Sequence, residues 1–548
     1  MGRISAVLAA ALSLAGTLLS AAEQRAAPGE YKPVLTVSVA SYSRILGDVQ
    51  WFVDPRLMAL AADIVGRVTG VPVDPQTLAP AGLDPRRPWG LVVETDGRAL
   101  PQAGFFPATD LARLLAGPVA AGKLAPPAAG VYELQLGETK WYATQRGAWA
   151  VAATARDDLK HIPRDPLKML EGLGTSHDLA ARLLLKNLPA DVQQVASRWL
   201  KEGHRLIPAR KPGESDLDVA LRTALINEAL KWAAGLADEG ETLTAGVSLD
   251  QRSRSLVAEL EQIVRPGTST AAGLGAPSRA KTDFSGFLMP NAALSGVWTG
   301  EIARMPLHRL LTLFDAVAGQ LAPGGKGAAA EFWKTVRDAL LEEDVDGGAV
   351  VMIRPHGATL AVGGNVADGL KLESQLRKLA VGGAAGMTWN LDTARFQDAR
   401  LHSFSIPIPA ELKNRRGLVR AFGESFEVAI AVGDRSLHVA AGRNPADFLK
   451  QVMRSSKSKT PGKQPPVQFA ASLGPLVKLL ADLEGGERTL LARLSEALAQ
   501  SGGRDQVRLT ARPVARGLAA RLEMEESAVR ALLSLWLPTP PGPRPLAR

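Results

Sequence analysis

Seven histidines and no cysteine limit the chemistry this chain can carry. Thiolate metal sites, cysteine nucleophiles and disulfides are excluded, so a metal would rest on imidazole and carboxylate alone. The histidines, at 161, 177, 204, 308, 356, 402 and 438, are never closer than 16 positions. None therefore forms the H-E-x-x-H pair that turns two imidazoles onto one ion, and no metal or cofactor is expected. Ser456-Lys457-Ser458-Lys459 has the S-x-x-K spacing of penicillin-recognising enzymes. It reads as part of a flexible Ser/Lys/Pro loop, 455–466, that cannot hold a rigid nucleophile, and neither S-D-N nor a G-x-S-x-G elbow occurs.

Other motifs also have plain readings. Asp344-Val345-Asp346-Gly347 opens like a calcium loop, but 348–353 continues as a strand and the later ligands are missing, so it reads as a helix-to-strand turn. In 319–326 the first glycine of a phosphate loop is replaced by Gln320, and Gly327 stands where a hydroxyl is needed. Asp110 and Asp368 each follow a strand and precede an amphipathic run, the position of a side chain that caps helix N–H groups. No catalytic residue is assigned.

Charge gives the one candidate site. With 64 Lys+Arg against 55 Asp+Glu the chain carries +9, concentrated in three inserts: 201–215, 407–426 and 455–466. The second insert supplies Lys413, Arg415, Arg416 and Arg420 as a candidate anion-binding set. The inserts are nearly free of the aromatics that nucleic-acid readers stack on bases, which argues against a nucleic-acid partner.

These residues need a frame. Arg3, an apolar run 4–19 and Ser20-Ala21-Ala22 form a signal peptide, 1–22, with cleavage before Glu23. No later segment has 18 uninterrupted apolar residues, so the mature chain is expected to lack a membrane span. The remainder repeats itself. The runs from Leu35, Trp89, Trp141 and Arg182 recur in the same order from Leu294, Gly348, Val428 and Val467, at offsets of 259 to 287. Alternating strands with Gly-containing turns and interspersed amphipathic helices predict an α+β fold: two tandem duplicated domains, each a mainly antiparallel sheet with helices packed on one face. The expected bounds are 29–265 for the first repeat, 266–285 for a linker, 286–537 for the second repeat and 538–548 for a Pro-rich disordered tail. Helices are expected at 54–68, 215–237, 307–321, 328–341 and 476–499.

Pro88-Trp89-Gly90-Leu91-Val92-Val93-Glu94-Thr95-Asp96-Gly97, followed by Phe105-Phe106-Pro107-Ala108-Thr109-Asp110-Leu111 behind a signal peptide, resembles a family of exported, uncharacterised proteins of planctomycete-type bacteria. The resemblance implies an exported protein and no particular activity.

The functional expectation is an exported, non-catalytic binding or scaffolding protein of the bacterial envelope, periplasmic or extracellular. Its expected partner is an anionic envelope polymer or another envelope protein. Two alternatives stay open: a hydrolase of envelope polymer using paired carboxylates, and a carrier of lipid or another apolar ligand.

Overall fold

The structure is a computed structural model describing residues 31–49, 82–97, 100–116, 129–136, 139–202, 210, 216–275, 282–300, 334–340, 345–355, 357–381, 387–408, 416–458, 465–484, 490–499 and 502–534. The expected signal peptide, the helices at 54–68 and 307–321, the 319–326 loop and the tail lie outside these residues. The chain divides into two compact units, one of 1–199, 236–264 and 533–548, the other of 200–235 and 265–532. None of the described helices is long and apolar enough to cross a membrane.

The first unit has β1 (Lys32–Val39), β2 (Trp89–Thr95), β3 (Gln102–Pro107), β4 (Val131–Leu136), β5 (Thr139–Arg146), β6 (Trp149–Ala153), β7 (Leu179–Leu183), β8 (Gly240–Asp250) and β9 (Ser255–Val264). They pair in the order β4-β5-β6-β3-β2-β1-β7-β8-β9, all antiparallel. The second unit has β10 (Leu294–Thr299), β11 (Asp346–Arg354), β12 (Gly357–Asn365), β13 (Thr388–Phe396), β14 (Ala399–Pro407), β15 (Ser425–Val432), β16 (Ser436–Gly442), β17 (Val467–Ser472), β18 (Gln506–Val514) and β19 (Gly517–Glu525). Their order is β13-β14-β15-β16-β12-β11-β10-β17-β18-β19, again antiparallel throughout. Apart from β13, the two orders correspond strand for strand.

Helices cover both faces of each sheet rather than one. In β15, Val428, Ile430 and Val432 face Leu372 and Leu376 of the helix Gly369–Val381. The alternate residues Ala429 and Ala431 face Phe448, Leu449, Val452 and Met453 of the helix Pro445–Ser458. A strand apolar on both sides must be buried on both sides, a feature that alternation counting at the hairpins does not register. In the first unit Leu111, Leu114 and Leu115 of the helix Leu111–Ala116 pack on Ala143, Ala150 and Ala152. There the other face, with Phe105, Trp149 and Val151, meets Leu159 and Leu170 from two short 3-10 turns and Ile162 from the segment between them.

Parts of two expected loops are ordered structure. Ser456 lies on the helix Pro445–Ser458, not in a loop, and its Oγ accepts a hydrogen bond from the Gly286 N–H at 3.0 Å. A Cβ at Gly286 would collide with the Val452 carbonyl oxygen and the Ser456 nitrogen, so glycine is required for this approach. Thr282, Phe284 and Ser285, expected at the end of a linker, are buried, and Phe284 belongs to the main apolar cluster of the second unit. Thr282 Oγ1 and the Asp283 N–H donate to Asp346 at 2.6 and 2.8 Å, which gives that carboxylate a structural role in place of a calcium-loop one. The expected helix 215–237 is present as Asp216–Glu239, and 476–499 contains two helices, Leu473–Glu484 and Leu490–Ala499.

Candidate functional site

The ladders put the two units in register. Val37 stands opposite Leu91 and Ala181, and Gly296 opposite Ala349 and Phe469. Following the pairings outward matches Ala152 with Val439, Ala143 with Ile430, and so Tyr132 with His402 and Gly130 with Arg400. The helices align through their caps. Asp110 Oδ1 accepts the Arg113 N–H and Asp368 Oδ1 accepts the Lys371 N–H, each at 2.9 Å, which sets Leu115 against Glu373.

At those matched positions the units part company. Leu115 and Tyr132 contribute to an apolar cluster in the first unit. In the second, Glu373 and His402 are buried at 4% and 1% exposure. Glu373 Oε1 accepts from Arg377 Nε at 3.1 Å, from a second Arg377 nitrogen at 2.6 Å and from Arg400 at 3.0 Å. Arg377 also donates from one nitrogen to both oxygens of Asp392, each at 2.8 Å. Asp392 lies on β13 at a break in register between Asn390 and Ala394, with φ of 53°. The bulge lets its backbone N–H donate to His402 Nδ1 at 3.2 Å while its side chain turns to Arg377.

Glu373, Asp392 and His402 bring ligand-type atoms within 4.8 Å of one another. The hydrogen bonds assign these groups to an ion-pair network instead. His402 Nδ1 takes the Asp392 N–H, so the neutral ring carries its proton on Nε2, which cannot then bind a cation. Glu373 Oε1 and both Asp392 oxygens are engaged by guanidinium. Burial holds His402 below the ordinary histidine range, opposed by Asp392 and Glu373. Arg377 holds the Asp392 carboxyl below its usual value. His402 Nε2 has no hydrogen-bond partner and lies 3.9 Å from Glu373 Oε1. Beside the network is a concavity of about 650 Å³ lined by Leu370, Glu373, Ser374, Arg377, Lys378, Val381 and Arg400.

The first unit has its own cluster. Arg44 Nε lies 2.8 Å from Asp178 Oδ1 and 3.6 Å from Asp48 Oδ2, and its NH1 donates to the Thr175 carbonyl at 3.1 Å. Asp178 Oδ2 accepts the Leu249 N–H at 2.7 Å, tying the helix Tyr42–Val49 to β8. Burial, then the charge of Asp178, raises the Asp48 carboxyl above its ordinary value.

Of the basic set read from the sequence, Lys413 and Arg415 lie outside the described residues. Arg416 and Arg420 fall on the helix Arg416–Phe422, with Arg420 exposed. The network around Glu373 escaped the sequence reading, although one signal marks it. Glu373 sits beside Leu372 and Leu376 on the apolar stripe of its helix, where a charge is out of place. The other described histidines are spread apart. His161 packs on Tyr31, His177 lies 3.5 Å from Ser248 Oγ, and His438 is buried against Phe284 and Phe287.

No protein-family model, curated protein or solved structure matches the chain.

Proposed function

We propose that the chain is an exported, non-catalytic binding or scaffolding protein of a bacterial envelope, built by tandem duplication of one α+β unit. The observation that carries this reading is the state of the clustered acids. Carboxylate catalysis needs one acid kept protonated beside one that is ionised, in a place a substrate reaches. Glu373 and Asp392 are instead bound by Arg377 and Arg400, an arrangement suited to holding charge in place. The corresponding strand orders support duplication, and the Arg3–Ala22 pattern supports export. The partner on this reading is an anionic envelope polymer held by Lys413, Arg415, Arg416 and Arg420. Replacing the four with Gln should abolish retention of the mature protein on an anionic matrix at low salt. Retention that survives the change removes this surface from consideration.

A second reading has one observation in its favour. Asp48 and Asp178 come from separate segments and share Arg44, with the Asp48 carboxyl raised, as a paired-carboxylate hydrolase would require. Release of soluble fragments from envelope polymer, lost in Asp48→Asn and in Asp178→Asn, would establish it. Release unchanged in both variants would refute it.

A further inference from the structure

We infer that the concavity over the helix Gly369–Val381 binds a monomeric anionic amphiphile, a carboxylate or phosphate head on an alkyl chain, and that Asp392 holds the head-group position in its absence. This goes beyond polymer binding and uses none of the residues 413–420.

The argument starts from Glu373. A buried carboxylate is costly where the matched position in the first unit holds an apolar leucine, and it persists here with two arginines donating to it. Its effect is to hold the Arg377 and Arg400 guanidinia on one wall of the concavity. Guanidinium pairs of this kind recognise carboxylate and phosphate. Asp392 now occupies Arg377, but its side chain is 51% exposed, so that ion pair is weak and readily exchanged for another anion. His402 offers its buried, unpartnered Nε2–H 3.9 Å from Glu373 Oε1, a donor for that oxygen when an arriving head group shares the arginines.

The rest of the lining selects the tail. Leu370, Ser374, Arg377, Lys378 and Val381 form one helical stripe, with Leu370 60% and Val381 86% exposed. An alkyl chain running from the head along this stripe would cover the apolar side chain at one end, Leu370 or Val381, while Lys378 adds positive charge beside the head. The concavity is shallow and open, so a tail would lie on the helix surface with one side in water.

Titration calorimetry on the full mature chain tests this, with decyl phosphate and decanoate as monomers, and inorganic phosphate and decanol as head and tail alone. Both amphiphiles should bind one per chain, at least about ten-fold more tightly than either fragment. Arg377→Gln with Arg400→Gln should weaken binding by at least about ten-fold. Asp392→Asn should tighten it by about two- to five-fold, by removing the competing carboxylate. Should the double arginine variant fail to fold, Lys378→Gln, a change at an exposed side chain, should weaken binding at an unchanged melting temperature. The quadruple 413–420 variant should bind normally, so this site and the polymer surface stand or fall separately. No binding of either amphiphile, binding indifferent to these residues, weakening by Asp392→Asn, or binding only to anionic vesicles would overturn the proposal.

Discussion

Leu115, Tyr132 and Gly130 in the first unit occupy the places of Glu373, His402 and Arg400 in the second, under the same strand order. At these positions the first unit has apolar side chains, while the second has a buried carboxylate and a neutral histidine with two partly exposed guanidinia. Among the described residues, only the second has an extra edge strand, β13, and that strand carries Asp392. A sheet frame therefore tolerates either solution, but the polar one needs every member present. Removing one member leaves its partners without their counter-charge, whereas trimming an apolar residue leaves a cavity.

That contrast can be broken first at Glu373. Glu373→Ala should destabilise the second unit, because it empties the buried place of the carboxylate and removes the shared partner of Arg377 and Arg400. Leu115→Ala at the matched position should cost about 2–5 kcal/mol by leaving a cavity. Installing the first unit's set, Glu373→Leu with His402→Tyr and Arg400→Gly, should leave stability equal to the parent or raise it by about 1–2 kcal/mol, since apolar replacements of buried ion groups commonly do so. Urea unfolding of the three variants checks the order, and a triple variant as unstable as Glu373→Ala would contradict it.

The next contrast is between His438 and Val151, also matched by register. Burial lowers His438 from 6.5 to about 4. The fold holds the neutral ring, so its stabilising effect is complete above the unfolded value and is lost as pH falls from about 6.5 to 4, a change of about 3 kcal/mol. His438→Val should flatten the decline in melting temperature over that range. An unchanged acid profile would show that another group controls it.

Smaller effects are expected at the two helix caps. Asp110→Ala and Asp368→Ala should each cost about 0.5–2 kcal/mol and the Asn variants far less. Denaturant midpoints would show this, and a large loss with Asn at either site would reveal a need for charge. Smallest of all, the quadruple Gln change at 413, 415, 416 and 420 should alter stability by no more than about 0.5 kcal/mol, whatever it does to retention.

Much of the frame was legible because it is local. Hairpins such as Trp141–Ala153 and Val428–Ala441 announce themselves by alternation around Gly-containing turns, and both appear as paired strands. β4, β13 and β14 passed unnoticed. In β13 the bulge at Asp392 interrupts alternation, and most of the strand is exposed, so its pattern is polar on both sides. The 455–458 segment looked like a loop from its Ser and Lys content, yet Phe448, Leu449, Val452 and Met453 carry the helix to its end against the core.

By itself, the sequence determined the absence of thiol chemistry, the positions of the capping aspartates and the periodicity of the hairpin strands. Each depends on residue type or on spacings of a few positions, which backbone geometry converts directly into structure. Only the tertiary structure decided that Glu373, Asp392 and His402 would meet, and that two arginines would occupy the acids. These residues lie on a helix, a bulged edge strand and the strand beside it. Their meeting depends on the register of β13 against β14 and on the face of the sheet the helix covers. A shift of one residue in that register would turn Asp392 and His402 to opposite sides of the sheet, and no local pattern records it.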